Sequence, residues 1–158
     1  MQINTFLTFS SKKWSTLDLT HPMTLPPSEI ESLTEVFRQF PEIRAVYVFG
    51  SAATGKRRPD SDLDLAVLAG DESFQRRKLD VLTELTRQGF DTIDLVFLNT
   101  ADTVTQYEAV RLNKLIYSTA DFDRGYYYSK IVRLYLDFLP YLEVQRKAYK
   151  QRLLGGQT

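Results

Sequence analysis

Three aspartates, a glycine-serine pair and a short basic stretch are the groups in this sequence whose types and spacing suit a chemical task. Gly50-Ser51 closes an apolar run, 45–49, and ten residues later come Asp62 and Asp64, interleaved with Leu63, Leu65 and Val67. Side chains on a strand change face at every residue, so this alternation predicts both carboxylates on one face and the apolar residues on the other. Two carboxylates about 4 Å apart repel by roughly 1 kcal/mol in water and roughly 4 kcal/mol at an effective dielectric near 20. A divalent cation between them removes the conflict, and hard oxygen donors suit Mg²⁺. Asp94 is the third carboxylate and the only charge in the apolar stretch 92–98. Buried and unpaired it would be costly, so it is expected to face a cleft, a cation or a partner.

Three carboxylates on neighbouring strands fit metal-assisted phosphoryl or nucleotidyl transfer, with Asp94 also accepting the proton of an attacking hydroxyl. Glycine lets backbone amides approach a phosphate closely, and Ser51 adds a hydroxyl donor. The turn is no Walker loop, because the Gly-Lys-Ser/Thr ending is missing. An Asp-x-Asp alone is usually a solvated loop; its apolar strand context favours function here. Lys56, Arg57 and Arg58 suit either a solvated turn or contact with a triphosphate. The single histidine, His21, reads as incidental. Tyr126, Tyr127 and Tyr128 suit core or interface packing by default and base stacking or partner contact as the alternative.

The elements that would position these groups can be read from periodicity. The run 45–49 is β-branched and aromatic and too short for a helix, so it predicts a buried strand. Gly55 and Pro59 mark the loop that leads to the Asp62/Asp64 strand. Before them, a helix is expected from Ser28, with a Ser28/Glu31 capping box and Ile30, Leu33, Val36, Phe37 and Phe40 on one face. Gly70-Asp71 predicts a turn. A helix over 72–88 follows, carrying Phe74, Val81, Leu82 and Leu85 and capped by Gly89. After the Asp94 strand come a helix over 101–112, a short strand over 114–118 and helix over 121–153. In the last, Ile131, Leu134, Tyr135 and Phe138 should pack, and Pro140 should kink or divide it. An arm, 1–27, a core, 28–120, and a C-terminal helical segment, 121–158, together make one domain. Within the arm, residues 5–9 could add an edge strand.

Composition bounds the function. The chain has 158 residues, 43% of them apolar and 13% aromatic, enough for a real core. Lysine plus arginine balances aspartate plus glutamate at 20 each, which argues against a general nucleic-acid binder. With no cysteine and one histidine, disulfides, thiolate metal sites and a histidine-rich zinc site are excluded. No apolar run approaches the ~18 residues of a membrane span, and the start lacks the order of a signal peptide. A soluble cytoplasmic protein without membrane contact is the expectation.

Taken together, Phe49-Gly50-Ser51, Asp62 and Asp64 after ten residues, and Ile93-Asp94-Leu95 resemble the DNA polymerase β-like nucleotidyltransferase superfamily. Within it, the wording Pro-Asp-Ser-Asp-Leu-Asp-Leu-Ala-Val over 59–67 looks like the minimal nucleotidyltransferases, in particular MntA-type antitoxins paired with a helical HEPN-type (HepT) toxin. The resemblance implies an α+β fold: a mixed, polymerase β palm-like sheet flanked by helices, with further helices at the C-terminus. It implies transfer of AMP from ATP to a tyrosine hydroxyl of the toxin, usually an RNase, with Mg²⁺, two ions in number, as cofactor. It assigns Gly50 and Ser51 to the triphosphate, with Ser61, Lys56 and Arg57 as further nucleotide contacts, Asp62 and Asp64 to Mg²⁺, and Asp94 to base and metal. Many relatives carry Arg where Thr54 stands. Two alternatives stay open: nucleotidyl transfer to a small molecule such as an aminoglycoside, and a non-catalytic module that neutralises a toxin by covering it.

Overall fold

The computed structural model describes residues 23–156. Its centre is an antiparallel pair, β1 (Ile43–Phe49) and β2 (Leu63–Ala69), joined through a short helix, Gly50–Ala53, and the loop 54–62. β3 (Ile93–Phe97) lies parallel beside β2, and β4 (Leu115–Ser118) lies antiparallel beside β1, giving the order β3-β2-β1-β4. Parallel neighbours need a crossover. Here it is a 3₁₀ turn, Glu72–Arg77, running into a helix, Lys78–Arg87. In chain order the helices are α1 (Pro27–Arg38), α2 (Gly50–Ala53), α3 (Lys78–Arg87), α4 (Thr103–Val110) and α5 (Arg124–Gly155).

Helices cover both faces of the sheet, so the central strands read as nearly continuous apolar runs rather than as alternation. On one face α1 and α3 pack Leu33, Val36, Phe37, Val81 and Leu85 against Val46, Val48, Leu65, Val67 and Leu95. On the other, α4 and α5 pack Tyr107, Val110, Ile131 and Tyr135 against Ala45, Tyr47 and Ala66. α5 is fastened by aromatic contacts: Tyr135 stacks on Tyr107 with ring centroids 3.8 Å apart and planes 3° from parallel. Tyr127 stacks on Tyr47 at 6.3 Å. Truncating a buried aromatic of this kind costs about 3 kcal/mol or more. Tyr135→Ala is therefore expected to lower the midpoint of thermal unfolding by roughly 6–12 °C. Calorimetry checks it, and a shift below 2 °C would mean that α5 contributes little to the core.

The α+β sheet expected from the sequence is present, as are the strand over 92–98, the strand over 114–118 and the glycine cap at Gly89, whose φ is +93°. Other expectations fail in instructive ways. The helix expected from Ser28 begins on Pro27, with Pro26 as N-cap and no side-chain capping bond. Proline is pre-organised for the first helical position and lacks the orphan N–H a capping box would satisfy. The helix over 72–88 is split into the 3₁₀ turn and α3. Leu134 is 44% exposed, whereas Ile131 and Tyr135 are buried. Pro140 lies inside α5 without dividing it. The edge strand expected over 5–9, and His21, lie outside the described residues. Among the described residues no helix is long and apolar enough to cross a membrane.

Candidate active site

The topology gathers the three sequence signals at one end of the sheet. β1 runs antiparallel to β2, so its C-terminal end meets the N-terminal end of β2. β3 runs parallel to β2 and begins at the same end. The register makes this concrete: Phe49 pairs with Asp64, and Asp64 pairs with Asp94. The glycine turn after Phe49, the carboxylate of β2 and the carboxylate of β3 thus lie in one transverse row. Leu63, Leu65, Leu95 and Phe97 point into the core on the α1/α3 side. By alternation Asp64 and Asp94 take the opposite face.

Gly50 and Asp64 are in intimate contact. Gly50 has φ +65°, and a Cβ built on it would lie 2.1 Å from Asp64 Oδ2. Only glycine fits, both for the backbone conformation and for the space. The turn is braced from behind, since the Ala52 carbonyl accepts from both the Thr24 N–H at 3.0 Å and the Thr24 hydroxyl at 3.1 Å. The Ser51 carbonyl accepts from the Lys56 N–H at 2.9 Å and from the Thr54 hydroxyl at 3.2 Å. Thr54 thus tightens the turn.

Electrostatics single out Asp64. It is half-buried, and burial, then the charge of Asp94, then that of Asp62 push its carboxyl above the ordinary range. Asp62 stands one residue before the first residue of β2 and is exposed, as is Asp94. Among the described residues no three His, Cys, Asp or Glu side chains are drawn closely enough together to enclose an ion. The donor set nevertheless suits Mg²⁺: three carboxylates, one of them resisting its own charge, the other two on exposed side chains able to turn toward it. Asp94→Asn removes the one carboxylate that is both exposed and in register with Asp64. Loss of transfer of 100-fold or more with nucleotide affinity changed less than threefold is the expected result, because asparagine cannot accept a proton. Calorimetry with Mg-ATP beside a single-turnover assay checks it; equal losses would make Asp94 a ligand for the nucleotide's cation only.

The basic loop divides. Arg57 is held against α1, where it pairs with Glu29 at 3.3 Å and is only 22% exposed. This engagement fastens the loop to α1, while Lys56 and Arg58 stay exposed. The Ser61 hydroxyl donates to the Arg58 carbonyl at 2.8 Å and accepts from its N–H at 3.1 Å, so it shapes the loop. Of the three tyrosines at the start of α5, Tyr127 is core and Tyr126 is exposed. The sequence offered no signal for Glu29 or Thr24, since each bonds a partner 28 residues away.

Beside the carboxylates, Asp94 and the outer edge of β3 line a groove of about 360 Å³ with Gln75, Lys78, Thr100 and Ala101. A depression of about 380 Å³ around Phe40, Arg77 and Arg87 is lined by none of Asp62, Asp64 and Asp94.

The chain is 29% identical over 108 residues to the protein adenylyltransferase MntA of Shewanella oneidensis, covering 68% of this chain and 74% of that one. A crystal structure of a toxin-antitoxin with AMP-PNP superposes with a TM-score of 0.63 at 25% identity, over 79% of this chain and 98% of that one. A mutant of the toxin-antitoxin MntA–HpeT superposes with a TM-score of 0.60 at 27% identity, over 82% and 98%. The family described as Polymerase beta, Nucleotidyltransferase matches residues 31–122, a span that holds the glycine turn and all three aspartates, and the chain belongs to that family.

Proposed function

We propose that this chain is a Mg²⁺- and ATP-dependent protein adenylyltransferase that acts as an antitoxin, moving AMP onto tyrosine hydroxyls of a cognate HEPN-type toxin. The observation that carries the reading is the row Phe49–Asp64–Asp94, which sets the glycine turn against the Asp64 carboxylate with that of Asp94 beside it. Membership of the nucleotidyltransferase family supports the chemistry. The likeness to a protein adenylyltransferase and to a toxin-antitoxin with AMP-PNP supports the acceptor class and the nucleotide.

In this reading Gly50, Ser51 and the exposed Lys56 receive the triphosphate, and Asp62, Asp64 and Asp94 hold Mg²⁺. The cation, when bound, neutralises the triphosphate and the charge that develops as pyrophosphate leaves. Asp94 accepts the proton of the acceptor hydroxyl. The hydroxyl oxygen forms a bond to the α-phosphorus, and the bond from that phosphorus to the bridging oxygen of the β-phosphate breaks. The products are the AMP ester and pyrophosphate. The protein's share is positioning and charge neutralisation.

The test mixes a HEPN-type toxin with catalytic amounts of the protein and Mg-ATP, then weighs the toxin. AMP-sized increments on tyrosine, absent with Asp64→Asn, are expected. Unchanged toxin mass, with neutralisation only at equimolar antitoxin, sinks the enzyme reading in favour of steric cover. Increments on an added aminoglycoside instead of the toxin would mark a small-molecule transferase.

A further inference from the structure

The glycine turn and its loop do not support themselves. α2 is a single turn of helix, four residues long, and fixing one turn costs more backbone freedom than its own hydrogen bonds return. Carbonyls at the end of a helix also lack partners within it. Those of Gly50 and Ser51 are served from inside the loop, by the Thr54 hydroxyl at 3.4 and 3.2 Å and, for Ser51, by the Lys56 N–H at 2.9 Å. The Ala52 carbonyl is served from outside, by the N–H and hydroxyl of Thr24 at 3.0 and 3.1 Å. Further along both segments, the Arg57 guanidinium donates to Glu29 at 3.3 Å. Each of these outside contacts spans 28 residues, so the stretch 24–29 runs beside 52–57 at a constant offset. Leu25 is buried in the same core as Ala52 and Ala53, which anchors the stretch between its two contacts.

Arg57 is drawn inward by its contact. Its Nε is buried and has no bonded partner among the described residues, so the side chain lies against the body of the protein. Lys56 and Arg58 on either side of it are exposed. The backbone at Lys56 is thus held twice, by its own N–H on the Ser51 carbonyl and by the tether of the next residue to α1. We propose that Thr24 and Glu29 are positioning residues for the nucleotide. Thr24 acts through the Ala52 carbonyl and Glu29 through Arg57, and together they hold the glycine turn and Lys56 in the arrangement that receives the triphosphate. A loop already fixed in its binding conformation spares the ligand the cost of ordering it. Once loosened, it binds more weakly in proportion to the time it spends outside that conformation. A partly exposed ion pair adds little to the stability of the whole fold, so the effect falls on nucleotide affinity. The proposal rests on the adenylyltransferase reading for the ligand and on the two contacts for the means. It differs from the role a basic loop invites, in which Arg57 itself grips a phosphate.

The test measures binding of AMP-PNP with Mg²⁺ to the full chain by calorimetry, beside the thermal unfolding of each variant. Glu29→Gln and Thr24→Val are each expected to raise the dissociation constant about three- to tenfold, with the unfolding midpoint shifted by less than about 3 °C. Thr24→Ser keeps the hydroxyl and is expected to bind within about twofold of the unaltered chain. Arg57→Gln should match Glu29→Gln, and the two together should cost no more than either alone, because they act as a unit. A loss of about tenfold or more with Arg57→Gln, while Glu29→Gln stays within about twofold, overturns the proposal, since Arg57 is then a phosphate ligand. Tighter binding by Glu29→Gln also overturns it, because Glu29 is then withholding a cation from the nucleotide. Affinity unchanged in every variant, or lost only together with a larger fall in the midpoint, reduces the contacts to a structural role and leaves the adenylyltransferase reading intact. Failure of the unaltered chain to bind the nucleotide removes that reading and the proposal with it.

Discussion

Asp64→Asn is expected to lower AMP transfer by about 10³-fold or more, while making the metal-free protein more stable. The two effects share one cause. Asp64 is half-buried beside Asp94 and Asp62, and its carboxyl is pushed above the ordinary range first by burial and then by those two charges. In the unfolded chain it titrates in the usual carboxylate range. Below that range it is protonated in both states and contributes nothing to the pH dependence. As pH rises through the raised native value, the folded protein must give up a proton it holds more tightly than the unfolded chain does. Stability falls as pH rises from the unfolded value to the raised native one, and the penalty is complete above the latter. Asparagine keeps the shape and cannot ionise. Like charges directly opposite on neighbouring strands cost up to about 1 kcal/mol, so a gain of roughly 1–3 °C is expected at pH 7 in chelator. The gain should vanish at pH 3. Thermal melts at the two pH values, beside single-turnover transfer from labelled ATP, decide the matter. A variant that transfers normally removes Asp64 from the chemistry. One that loses transfer without the pH-dependent gain leaves the role and removes the electrostatic account.

Gly50→Ala is expected to be nearly as damaging to activity, through geometry instead of charge. Its backbone sits at φ +65°, where alanine costs about 1 kcal/mol. The added methyl would also stand 2.1 Å from Asp64 Oδ2 and 3.0 Å from its Cγ, well inside contact distance. Either the carboxylate swings out of the row or the turn retreats from it. Displacement of a reacting group by about 1 Å costs on the order of 10²-fold in rate. We expect a loss of transfer of at least that size, with a stability loss of about 1–2 kcal/mol. A double-mutant cycle separates the two costs. In an Asp64→Ala background the steric clash is gone, so Gly50→Ala should cost only the backbone strain. Equal stability losses in both backgrounds would mean that the glycine is there for its backbone alone.

Local chemistry in this protein is written in short-range spacing. Gly50-Ser51 after an apolar run, Asp62 and Asp64 alternating with leucines, and Asp94 as the lone charge of an apolar stretch each follow from strand periodicity, which is a property of consecutive residues. The amphipathic face of α1 and the glycine cap at Gly89 are of the same kind, and so was the family resemblance. The split of one expected helix into a 3₁₀ turn and α3, and the unbroken passage of α5 through Pro140, were not legible, because neighbouring packing overrides local preference. What the tertiary structure alone decided is which groups meet. Pairing of Phe49 with Asp64 and of Asp64 with Asp94 depends on strand order and register. From that pairing follow the contact between Gly50 and the Asp64 carboxylate and the perturbed charge at Asp64, neither of which has a signature in the chain itself. The same holds for Arg57, which the sequence counts as one more cation in a basic loop. Its bond to Glu29, 28 residues away, turns it into a fastening for that loop.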